Sequence, residues 1–159
     1  MTATVRADDA QQREDQFKAA YLFNFVKFVE WPSGAPADTL TVCFQGAKGV
    51  HEALANGIDS KRVGSRRLVA QLLERRASTV NCDVLYADAA SVDVSRTAGH
   101  PVLTVSDAPH FAANGGMIEL FTENHRLRFT INVARAHEAG LHISSDLLKL
   151  AADVQREEQ

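Results

Sequence analysis

The chain carries six histidines, two cysteines and twenty acidic residues, the groups from which hydrolytic, redox or metal chemistry would be built. His51, His100, His110, His125, His137 and His142 show none of the spacings of a metal-binding helix. Cys43 and Cys82 are too far apart to form a CxxC pair, so no zinc site is expected. There is no GxSxG elbow for a serine nucleophile. Asp83, next to Cys82, has no second carboxylate or histidine at a spacing suited to acid–base work, and it reads as a pairing or turn residue. The GxxG of Gly46–Gly49 follows a strand and opens a helix, where phosphate groups can bind. It lacks the third glycine of a dinucleotide fingerprint and the Lys-Ser/Thr of a P-loop, and reads as a plain βα turn. Arg128 and Asn132, on the polar face of a late strand, read as structural partners of the Glu119 or Glu123 side of a hairpin. No catalytic residue, metal or cofactor is expected from these patterns.

The charge pattern is equally restrained. A net charge of −3 gives no global reason to bind nucleic acid or an anionic membrane. The basic stretch Lys61, Arg62, Arg66, Arg67, Arg75 and Arg76 has no interleaved aromatics. It reads as a solvated strand edge rather than a nucleic-acid groove. No run of about 20 apolar residues exists, so no membrane insertion is expected. The opening, MTATVRADDAQQRED, holds no apolar signal core, and two readings stay open: a chain that is not secreted, or a mature exported one given without its leader. The compartment decides the cysteines: two buried thiols in a reducing setting, or a bonded pair in an oxidising one if their strands are neighbours facing the same way.

The most informative stretch is FKAAYLFNFVKFVEWP, residues Phe17–Pro32, which holds four of the eight phenylalanines and the only tryptophan. Phe17, Tyr21, Phe25 and Phe28 recur at helical spacing, and Leu22, Val26 and Val29 widen the stripe. Such a helix must be covered on most sides or must offer a flank to a partner. Residues 1–14 read as a disordered lead, with Asp15 as a cap, and SGAPAD (Ser33–Asp38) as a loop.

Strands are expected at Leu40–Phe44, Arg67–Leu73, Val80–Ala87 and Pro101–Val105, with a helix over Val50–Ala55 and a turn or short helix over Ser91–Gly99. A hairpin, Met117–Phe121 and Arg126–Ile131, follows Gly115-Gly116; Leu127, Phe129 and Ile131 alternate with polar residues at period two. Helices follow at Val133–Ala139 and Asp146–Val154, the latter with Leu147, Leu148, Leu150 and Ala151 turned inward, before a frayed tail at 155–159. The expected fold is α/β: a mostly parallel sheet flanked by helices on both faces, with an antiparallel hairpin at one edge, forming one domain over 15–154.

Four segments together resemble a known family: FKAAYLFNFVKFVEWP, NCDVLYAD, PVLTVSDAPHFAANGGMIEL and RLRFTINVARAHEAGLHISSDLLKLA. In order and spacing they look like the YfiR-like periplasmic proteins of Gram-negative bacteria, over about Gln16–Ala151. The resemblance implies a periplasmic, non-enzymatic repressor, often a homodimer. It would bind the periplasmic sensor domain of an inner-membrane diguanylate cyclase and so lower cyclic di-GMP and biofilm growth. It also implies that Cys43 and Cys82 match a core-strand cysteine pair that can be oxidised. Some members carry a further cysteine pair in the Gly-Gly hairpin, where this chain has Met117 and Asn124. The expected partner surface is Leu141–Lys149 with the hairpin edge, and Leu141, His142, Leu147 and Lys149 are its candidate contacts. The alternative is a small-ligand sensor with a pocket beside Gly46–Gly49 and Ser106–Phe111.

Overall fold

The computed structural model describes residues 2–32, 38–57, 62–74, 77–79 and 81–156, and the side chains of these except 2–8 and 96. The expected loop over Ser33–Asp38, most of it, and the basic residues Lys61, Arg75 and Arg76 lie outside the described residues.

The chain opens with helix α1 (Thr2–Lys27) and a short strand β1 (Val29–Glu30). Strand β2 (Thr39–Gln45), helix α2 (Lys48–Gly57), β3 (Arg62–Val63) and β4 (Arg66–Leu72) follow. After β5 (Val84–Ala87) comes a single 3₁₀ turn, Val94–Thr97, and then β6 (Leu103–Ser106). The last third holds β7 (Ile118–Glu123), β8 (Arg126–Asn132), α3 (Val133–Glu138), β9 (His142–Ile143), α4 (Ser145–Leu150) and β10 (Asp153–Gln155). Eight strands form one sheet in the order β10-β8-β7-β6-β5-β2-β4-β3, while β1 and β9 make a separate two-stranded antiparallel ribbon.

The large sheet is mostly parallel; only the pairs β3–β4 and β7–β8 run antiparallel. Its central strands are continuous apolar runs because both faces are covered. On one face Leu40, Val42, Phe44, Val84, Tyr86, Leu103 and Val105 join Leu22, Phe25 and Val26 of α1 and Val50 and Leu54 of α2 in the main core. Each fully buried Leu or Phe there contributes roughly 1.5–3 kcal/mol of transfer free energy. The alternate residues Cys43 and Leu85 face the other way and form a smaller cluster with Cys82 and Val102. Val92 and Val94, at the 3₁₀ turn, lie against Leu85, Ala87 and Thr104 on that side.

Asp83 is the pairing residue at the amino end of the sheet. Its carboxylate accepts the Thr41 amide at 2.8 Å and meets the Arg66 guanidinium at 3.1 Å, while its carbonyl accepts the Trp31 indole N–H at 3.0 Å. Arg66 also lies 5.8 Å from the Trp31 ring. The Glu-Trp-Pro segment is thus tied to the sheet at one residue, Asp83, through its backbone carbonyl, while its carboxylate holds Thr41 and Arg66.

Several boundaries differ from the sequence expectation, among them the strand expected over Val80–Ala87, which begins only at Val84, where its pairing with β2 and β6 starts. The segment expected as a disordered lead continues α1 back to Thr2; its Ala, Gln, Arg and Glu residues favour helix, and Gln11 donates to Asp15 one turn on at 3.0 Å. The final helix stops at Leu150 instead of running to Val154. The Ala152 amide is drawn to the Phe129 carbonyl at 2.8 Å, and Asp153–Gln155 add a strand beside β8. The β7–β8 hairpin therefore has β10 outside it, and the expected frayed tail begins inside that strand.

Cys43 and Cys82 form a disulfide across 39 residues of sequence, with Cα atoms 5.9 Å apart. By loop-closure entropy a bridge of this span stabilises the fold by about 3–4 kcal/mol. Reduction, or the double change Cys43→Ala with Cys82→Ala, should lower the denaturant midpoint accordingly. Coincident midpoints with and without reductant would show that the pair is not bonded in solution.

Candidate functional site

The carboxyl ends of the parallel strands are where an open α/β sheet usually binds ligands, at the point where strand order reverses. Here that point lies between β2 and β5, beside the Gly46–Gly49 turn. The chain's own carboxylates occupy it. Asp88 accepts the Ala47 amide at 3.1 Å and the Ser91 amide at 3.0 Å, and a Cβ on Gly46, which sits at φ +69°, would fall on that carboxylate. At Gly49, the start of α2, a Cβ would fall on the carboxylate of Asp15 from α1. The turn at Gly46 is thus already served from within, and the Asp15 carboxylate lies against the start of α2.

The neighbouring segment Ser106–Phe111 is braced, not open. Ser106 Oγ accepts the Ala108 amide at 3.0 Å, and the Glu119 carboxylate accepts the His110 and Ala112 amides at 3.2 and 3.0 Å. Asn132 donates to the Ala112 carbonyl at 2.9 Å and accepts the Arg135 amide at the start of α3. Of the pairings the sequence pattern suggests, Arg128 meets Glu123 at 2.8 Å, whereas Asn132 and Glu119 hold backbone groups of neighbouring segments. Among the described residues no cluster of His, Cys, Asp or Glu could hold a metal ion, and no helix is long and apolar enough to cross a membrane.

Beneath α1 lies a buried ionic contact. Lys18, 7% exposed, reaches Asp107 at 2.7 Å and Glu14 at 2.8 Å. Burial alone would lower its pKa, but the hydrogen bonds and charges of Asp107 and Glu14 outweigh that and raise it above the ordinary lysine value. Tyr86 is fully buried nearby and its hydroxyl has no hydrogen-bond partner. Burial, then the negative charge of Asp107, pushes its pKa well up.

Turning Lys18 inward turns its neighbour Phe17 outward, since successive helical residues point about 100° apart. Phe17 is 61% exposed, and Leu150, the last residue of α4, is 68% exposed. Both line one groove, whose floor is Tyr21, Leu127 and Phe129. The floor is rigid: Tyr21 donates to the Leu127 carbonyl at 2.8 Å, and the rings of Tyr21, Phe25 and Phe129 pack edge to face at 4.9–6.1 Å. The rim is formed by His125 and two arginines, Arg126 and Arg128, which make it cationic.

The structure separates the four residues singled out from sequence. His142 and Lys149 are exposed. Leu141 and Leu147, singled out as partner contacts, are core residues at 3% and 2% exposure; this corrects their assignment to the contact surface and agrees with the inward side that helical spacing gives Leu147. Helix α4 has only six residues, and Leu147, with Leu141 and Ile143, is what attaches it to the core. Leu150, expected to turn inward, is instead the exposed one, because the helix ends there. Phe17 and Arg126 were not singled out as site residues. The signal available for Phe17 was its place at the outer end of the aromatic stripe, four residues before Tyr21.

A family model described as YfiR/HmsC-like matches residues 15–152. Among solved structures, a conserved domain protein from Vibrio cholerae O1 biovar El Tor is 12% identical over 76% of this chain and 55% of its own, with a TM-score of 0.46. The chain thus spans about half the length of that protein.

The raised pKa of Lys18 fixes a sign. The folded state holds this proton more tightly than the unfolded chain, so its stabilisation is complete below pH 10.5 and is lost as pH rises through the folded value. Lys18→Met should cost about 3 kcal/mol near neutrality by leaving Asp107 without its counter-ion, and Asp107→Asn in the same molecule should recover part of that. Denaturant midpoints measured across the alkaline range should fall more steeply in the parent than in Lys18→Met. Parallel curves would show that the ammonium stabilises nothing.

Proposed function

The chain belongs to the YfiR/HmsC-like family, and from that premise we propose that it is an exported regulatory binding protein without catalytic activity. It holds the periplasmic sensor domain of an inner-membrane diguanylate cyclase in its inactive state, and so lowers cyclic di-GMP and biofilm formation. The observation that supports this reading is the groove of Phe17 and Leu150: a large apolar pair left in water on a rigid floor, of the kind that marks a contact surface. The filled strand-end turn favours protein contact over small-ligand binding. His142 and Lys149 extend the proposed surface along β9 and α4.

A repressor of this kind works by differential affinity. Moving a cyclase from mostly active to mostly inactive takes roughly a 10⁴-fold preference for the inactive state. That is within reach of a few well-packed apolar anchors, each worth ~2 kcal/mol or more.

The test is a direct titration of the purified protein against the periplasmic sensor domain of a membrane-anchored diguanylate cyclase from the same cell, with cyclic di-GMP measured in cells that have or lack this protein. Saturable binding and a rise in cyclic di-GMP on deletion are expected. Absence of both removes the repressor reading.

A further inference from the structure

We propose that the groove between α1, the β7–β8 hairpin and α4 takes an acidic segment of the partner, one that inserts a large apolar side chain between Phe17 and Leu150. The proposal rests on the regulatory-binding reading and adds the chemistry of what is bound. Among the described residues only three large hydrophobic side chains are markedly exposed, and two of them, Phe17 and Leu150, share this groove; the third, Leu72, is 39% exposed and lies on another strand. A pair of exposed apolar walls over a packed aromatic floor suits a single inserted side chain. The floor needs no rearrangement, because the Tyr21 hydroxyl is already bonded to the Leu127 carbonyl at 2.8 Å.

The charge of the rim selects the sign of the partner. His125, Arg126 and Arg128 line the groove and no carboxylate does, although the chain as a whole carries −3. Arg128 is partly neutralised by Glu123 at 2.8 Å, whereas Arg126 is exposed and has no ion pair among the described residues. The tip is held in place by a tight two-residue turn in which Asn124 and His125 both adopt positive φ, +52° and +64°. A guanidinium carried on the first residue after a tight turn, beside an apolar slot, suits a carboxylate next to a hydrophobic side chain.

Two other occupants fit less well. A second copy docked by two-fold symmetry would set this cationic rim close to its own image. An anionic bilayer matches the charge, but it favours apolar side chains that protrude over ones that wall a recess.

The experiment titrates the intact protein with a short synthetic peptide of Asp and Glu around one Phe, and with the same peptide carrying Lys in place of the acids, by fluorescence anisotropy. The sensor domain is titrated in parallel. The acidic peptide should bind, more weakly as salt rises, and the lysine version should not. Phe17→Ser with Leu150→Ser should weaken acidic-peptide binding about 30-fold, and Arg126→Glu should weaken it and remove most of the salt dependence. Because these side chains are exposed, the variants should melt with the parent, and a melt that falls would be answered by the milder Phe17→Leu. Equal binding of acidic peptide by parent and groove variants overturns the proposal. So does binding of anionic vesicles but not the peptide, or a dimer in sedimentation that the groove variants dissociate. Sensor-domain binding that ignores the groove variants also overturns it, while leaving the repressor reading intact. Groove-dependent acidic-peptide binding with no sensor-domain binding has the opposite meaning: the groove assignment stands and the repressor reading falls.

Discussion

The Lys18 ammonium, held between Asp107 and Glu14 under helix α1, sets the rotation of that helix, and much of the molecule's surface follows from it. With Lys18 and Ala19 turned in, the buried stripe runs through Leu22, Phe25, Val26 and Val29. Tyr21 is left at the flank and Phe17 outside. Replacing both Lys18 and Asp107 by apolar residues would remove the desolvation cost of the pair, so the ion pair as a whole is a weak source of stability even though losing one partner is costly. What it supplies is direction: Asp107, outside the helix, favours the rotation that turns Lys18 toward it, while Glu14 on α1 itself completes the ammonium's pairing.

The same helix closes the position where a sheet of this topology would ordinarily bind a ligand. Asp15 reaches the start of α2, and Asp88 fills the turn at Gly46. Glu119 and Asn132 brace the following segment from the hairpin strands. The polar side chains at the carboxyl end of the sheet are thus largely committed to holding backbone amides, which explains why so many acidic residues amount to no reactive cluster. The Tyr86 hydroxyl and the Gln45 side-chain nitrogen are exceptions, buried polar atoms without a hydrogen-bond partner, tolerated next to a dense apolar core.

Function on this reading moves to the flank of the sheet, where α1, the hairpin and α4 meet. Each contributes one kind of group: an aromatic wall from α1, an arginine from a tight hairpin, an aliphatic wall from the end of α4. None of these would attract notice alone, since a single exposed Phe or Leu is ordinary. Their convergence on a packed floor gives the surface its meaning.

Sequence by itself determined the strands, the helices and the family. Period-two alternation in Arg126–Ile131, the continuous apolar runs around Val42 and Leu103, and helical spacing from Tyr21 to Val29 are local properties of the chain, and each element formed where its pattern lay. The residues at the margins were decided by tertiary contacts. Helical spacing put Leu147 and Leu150 on one inner side, but α4 ends at Leu150, so one is core and the other is exposed. The polar tail became β10 because β8 had an open edge and the Ala152 amide a carbonyl to bond. The pairing of Cys43 with Cys82 and the seating of Asp15 against Gly49 depend on which strands and helices are neighbours. That is a long-range outcome, because a residue's own spacing tells which face it occupies but not what stands opposite it.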